Sequence, residues 1–176
     1  MAGSLIKIDE EIVSSAVASV TLTGIDSTYD VYKVVISNME IDTDNKFMEY
    51  RFTVSGTADS TSNYDYAFKE LRADSAFSNV NSTNANAGSL DNIGTATGES
   101  SNYILYLYNF NNSSEYSFIT QEGTARSSAG NLRARQGGCV LTVAQACDGI
   151  SFGRFFDSGT NIDKGTFTLY KVVWYE

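Results

Sequence analysis

The chain has 176 residues, of which 42% are hydrophobic, 12% aromatic and 19% charged, a composition that folds around one sizeable core rather than staying disordered. Twelve Lys and Arg against twenty-one Asp and Glu leave a net charge of -9, which opposes the counterion release behind phosphate-backbone binding and excludes nucleic acid as a ligand class. There is no histidine and there are only two cysteines, so a zinc site lacks its ligands and no cofactor is expected.

The first sixteen residues, MAGSLIKIDEEIVSSA, lack the basic start and apolar run of a secretion signal, and no stretch is long enough for a bilayer-spanning helix. The expectation is a chain that is neither exported nor inserted into a membrane. Leu5, Ile6, Ile8 and Ile12 have little apolar surface to bury alone. Residues 1–16 therefore read as a segment that either docks the domain on a neighbouring subunit or adds an edge strand to the domain over 17–176.

From residue 17 onward, period-two alternation and β-branched or aromatic runs replace helical periodicity. Strands are predicted over 17–23, 31–37, 47–55, 64–71, 103–110, 115–120, 139–144, 150–156 and 166–174, separated by turns rich in Gly, Asn, Asp and Ser. About nine short strands and no helix give an all-β chain, an antiparallel β-sandwich of jelly-roll-like form.

Within this frame each stretch with chemical potential is weighed in turn. DTDNKFMEYR, from Asp42, begins like an EF-hand loop but has Lys46 at a ligand position, Phe47 in place of the turn glycine and no closing glutamate. Residues 78–102, SNVNSTNANAGSLDNIGTATGESSN, are almost wholly small and polar. That segment reads as a long loop, either an exposed excursion or a contact surface for a neighbouring subunit or a glycan. Arg126, Arg133 and Arg135 cluster in an otherwise acidic chain, and read either as a handle for a neighbour's carboxylates or as separate surface charges.

Cys139 and Cys147 are expected to be buried or half-buried thiols rather than a bridge. GISFG, from Gly149, fits the G-x-S-x-G nucleophile elbow, but no histidine is available to take the Ser151 proton and no helix pattern follows Gly153. Ser151 reads as a strand residue. In DSGTNID, Asp157, Asn161 and Asp163 could wrap a calcium ion, yet the same residues are ordinary turn formers. The acidic residues form no distinguishing pair for glycoside hydrolysis and read as a solvated face.

Two stretches, SSAVASVTLTGIDSTYDVYKVVISNM and DGISFGRFFDSGTNIDKGTFTLYKV, resemble the opening and closing strands of small jelly-roll structural proteins of tailed bacteriophages, including cyanophage-type virion and tail-fibre proteins; the central SSNYILYLYNF resembles them more weakly. Lys171 stands where that group usually has glycine. The resemblance implies a non-enzymatic virion protein that decorates the capsid or belongs to the tail or fibre apparatus, contacts other virion proteins and assembles as a homo-oligomer, usually a homotrimer or on another symmetry axis, after synthesis in a host cytoplasm. A second reading is a carbohydrate-binding module for a host surface glycan, for which Tyr103, Tyr106, Tyr108 and Tyr116 are the aromatic pool.

Overall fold

The computed structural model describes residues 3–157 and 159–174; Met1, Ala2, Ser158 of the closing motif, Tyr175 and Glu176 lie outside the described residues. The described chain is all strand and turn, with thirteen strands in two antiparallel sheets. They are β1 (Gly3–Val13), β2 (Ser19–Thr23), β3 (Val31–Ile41), β4 (Lys46–Val54), β5 (Thr57–Ala58), β6 (Tyr64–Arg72), β7 (Ser78–Ala85), β8 (Gly88–Ile93), β9 (Ser101–Tyr108), β10 (Ser117–Arg126), β11 (Leu132–Leu141), β12 (Gly149–Gly153) and β13 (Ile162–Trp174).

The larger sheet runs β1-β13-β3-β9-β10-β11-β6-β7, and the smaller runs β2-β12-β4-β5 with β8 also paired to β4. The first four strands alternate between the sheets, and the last two slot between them, β12 between β2 and β4, β13 between β1 and β3. This interleaving closes the sandwich by joining both ends of the chain. Residues 3–13 form the outermost strand of the larger sheet, where Leu5, Ile6 and Ile12 stay exposed and Ile8 packs on the core.

Alternation explains the core. In β3, Tyr32, Val34 and Ile36 point inward between half-buried Val31, Lys33, Val35 and Ser37, and β9 repeats the pattern with Tyr103, Leu105 and Leu107. The smaller sheet contributes Leu22, Met48, Tyr50, Phe52, Ile150 and Phe152. Aromatic rings bind the layers together: Phe52 lies 4.5 Å from Phe110 and 5.4 Å from Tyr64, centroid to centroid, and Phe152 lies 5.5 Å from Phe167. Gly123 faces Tyr103 across the β9–β10 ladder, and a Cβ there would overlap the ring, so glycine is what lets that tyrosine lie flat in the core.

Three expectations are corrected. The strands number thirteen among the described residues rather than about nine. The segment 78–102 is not a long loop: β7 forms the far edge of the larger sheet, and all six residues of β8 are buried. The strand expected over 139–144 begins at Leu132, carrying Arg133 and Arg135 into the fold.

Candidate functional site: the outer face of the larger sheet

Arg135 lies neither on a surface handle nor alone in solvent. The burial pattern of β11 turns it inward, where Nη1 donates to the Leu90 carbonyl at 2.7 Å and to Ser89 Oγ at 3.2 Å, and Nη2 donates to Glu70 Oε2 at 3.3 Å and Asp91 Oδ1 at 3.4 Å. Arg133 stands 3.7 Å from both carboxylates, and Gln121 donates to the Ser89 carbonyl at 3.0 Å. The smaller sheet's β8 pairs with β4, and these side chains take up carbonyls of β8 that face the larger sheet. Burial pushes the Asp91 carboxyl up, with the Arg135 charge opposing it. Arg126 remains exposed and donates to the Gly130 carbonyl at 2.9 Å.

The other sequence candidates resolve one by one. Ser151 is a buried β12 residue whose Oγ accepts from Thr21 Oγ1 at 3.0 Å. Cys139 and Cys147 are free, buried thiols, and burial pushes them up to about 12 and about 11 respectively. Asp157 is held by Arg154 at 2.6 Å and Lys46 at 3.1 Å, while Asn161 bonds Asp42 through its backbone N–H and its amide. Among the described residues no cluster of acidic or thiol groups is arranged to hold a metal.

Buried Glu49 fixes the 154–157 loop over the smaller sheet. Its carboxylate takes a bond from Arg154 and accepts the Phe155 and Phe156 backbone N–H groups at 2.5 and 3.1 Å. Burial pushes the Glu49 carboxyl up, and these N–H bonds and the Arg154 charge oppose the shift. The guanidinium of Arg51 stacks 4.4 Å from the Phe155 ring.

Among the described residues, no other element covers the outer face of the larger sheet along β3, β9, β10, β11 and β6. One register row crosses it as Val31, Tyr108, Phe118 and Val140. The next runs Lys33, Tyr106, Thr120, Gly138 and Ala67, and the third runs Val35, Ile104, Glu122, Gln136 and Lys69. Small side chains in the middle open two hollows, of about 490 Å³ against Ile104, Ala134 and Leu71 and about 570 Å³ against Phe118, Gly138 and Ala67.

Of the aromatic pool, Tyr103 is buried and its hydroxyl accepts the Asp91 N–H at 2.8 Å. Tyr106 and Tyr108 lie half-buried on the outer face, with the Lys33 ammonium 5.3 Å from the Tyr106 ring and the Tyr108 hydroxyl 3.3 Å from Thr120 Oγ1. Tyr116 is exposed in the turn before β10. No family model, no curated protein and no solved structure matches this chain.

Between Val31–Ser37, Asn102–Tyr108, Phe118–Arg126, Leu132–Val140 and Asp65–Leu71 the outward charges are Lys33, Lys69 and Arg126 against Asp65 and Glu122. Three cations against two anions give about +1 on this face of a chain whose total is -9. Exposed Leu71, Phe118 and Leu132 lie on the same face. Apolar side chains and charges of both signs are interleaved on this face.

Proposed function

We propose that this protein is a non-enzymatic structural subunit of a tailed-phage virion, a capsid decoration protein or a part of the tail or fibre apparatus that works by binding its neighbours. The observation that carries this reading is that the two stretches resembling phage structural proteins form one unit in space. The closing strand β13 pairs directly with β3, setting Tyr170 opposite Lys33 and Phe167 opposite Ile36. The opening turn is held to the same unit, since the Tyr32 hydroxyl donates to the Asp26 carbonyl at 2.7 Å and accepts its N–H at 3.1 Å. Lys171, the departure from the resembled pattern, lies 4.5 Å from the Tyr29 ring of that turn, and β13 continues past it to Trp174.

Incubating the purified chain with isolated capsids and isolated tails, then sedimenting each, tests this. Saturable binding to capsids assigns decoration and binding to tails assigns the fibre apparatus. Binding to neither contradicts the proposal.

A second reading is favoured by one observation: Tyr106 lines a hollow of the outer face together with Glu122 and Gln136, a pairing of ring and planar polar groups that suits a neutral glycan. Glycan-array binding that is lost in Tyr106→Ala supports it; an empty array removes it.

A further inference from the structure

We infer that the outer face of the larger sheet packs against the same face of a second copy, about a two-fold axis lying along β11. This inference goes beyond the virion reading and does not depend on it.

Charge selects the occupant. Two copies of a -9 chain repel over most of their surfaces, and a face of about +1 is where that repulsion disappears. The arrangement of the charges then selects the geometry. Glu122 on β10, Gln136 on β11 and Lys69 on β6 share one register row, with the carboxylate and the ammonium on opposite sides of β11. When two such faces meet about a two-fold axis along β11, each β10 lies over its partner's β6. Neighbouring strands are about 4.8 Å apart, so the backbones of both residues are displaced equally from the axis, and both Glu122–Lys69 pairs form at once when the Lys69 ammonium turns from Asn79 Oδ1 on β7, 3.0 Å away in the single chain, to the partner's carboxylate.

Packing agrees with this axis. The outward positions of β11 include Ala134 and Gly138, which let two sheets approach along its length. Exposed Phe118 and Leu71 flank it beside the two hollows, and the same axis sets Phe118 over the partner's Asp65 and Leu71 over the partner's Thr124. Sheets packed face to face sit about 10 Å apart with strands nearly aligned, which is the geometry this axis produces.

The test is a charge-swap cycle read by light scattering on the purified full chain over a concentration series. The wild type is expected at twice the 19.2 kDa chain mass. Glu122→Lys and Lys69→Glu each place like charges opposite one another and shift the dimer–monomer midpoint upward by at least about tenfold. The double variant Glu122→Lys with Lys69→Glu restores the dimer. Both side chains are exposed, so circular dichroism is expected to show all three variants folded. A monomeric or trimeric wild type, a dimer indifferent to the single changes, or a double variant that stays monomeric overturns the inference. Virion association is read separately by sedimentation, so the two proposals fail independently.

Discussion

Arg135 and Asp91 meet inside the sandwich, with Nη2 of the guanidinium 3.4 Å from Oδ1 of the carboxylate and both side chains essentially without solvent contact. The pair joins β11 of one sheet to β8 of the other, and Glu70 completes it at 3.3 Å. Removing Arg135 leaves Asp91 and Glu70 buried without their closest cation, with the Arg133 guanidinium at 3.7 Å from each. Arg135→Met is expected to lower stability by about 3–5 kcal/mol. Adding Asp91→Asn to it is expected to recover part of that loss, as measured by equilibrium chemical denaturation.

Glu49 anchors the 154–157 loop from below, so Glu49→Gln weakens the acceptor of two backbone N–H groups and of Arg154. The expected cost is about 1–3 kcal/mol. A loop less firmly held is also expected to be cut by trypsin after Arg154 faster than in the wild type, a readout that global stability alone does not produce when cutting is measured under strongly native conditions.

Burial pushes the Tyr32 hydroxyl up to about 12, and Tyr50, Tyr64 and Tyr103 are raised by the same cause. A phenol whose folded value lies above its ordinary value of 10.0 keeps its full contribution below pH 10 and loses it as the pH rises through the folded value. Stability is therefore expected to fall between pH 10 and about 12. Phenolate absorbance should show the exposed tyrosines ionising first and these four only as the chain unfolds.

Cys139 and Cys147 are buried, free and raised to about 12 and about 11 by burial, so neither supplies thiolate near neutral pH. A thiol reagent is expected to label no cysteine in the native protein and both in denaturant. Fast native labelling of either would contradict their placement.

The parts of this fold that alternate in plain hydrophobic code were legible from sequence. VYKVVIS and YILYLYNF lie close to the strands β3 and β9, because inward Tyr, Val, Ile and Leu must leave water while their neighbours stay half-wet. The β8 stretch GSLDNI gave no such signal, since Asp, Asn, Gly and Ser are depleted from strands and here survive burial only because Arg135, Gln121 and Tyr103 supply partners from another sheet. Arg135 itself read as a surface charge, because no local pattern reveals a carboxylate sixty-five residues away in Glu70. The outer face is half-visible in the sequence: Tyr106 and Tyr108 stand out as aromatic residues of one strand, whereas the Glu122–Gln136–Lys69 row exists only once β10, β11 and β6 are in register.

The most direct test of the virion account is quantitative protein mass spectrometry of gradient-purified particles from the cells that make this chain. The account predicts the chain in the particle fraction at a fixed ratio to the major capsid or tail protein through successive gradients. Its loss from the particles while those proteins remain would contradict it.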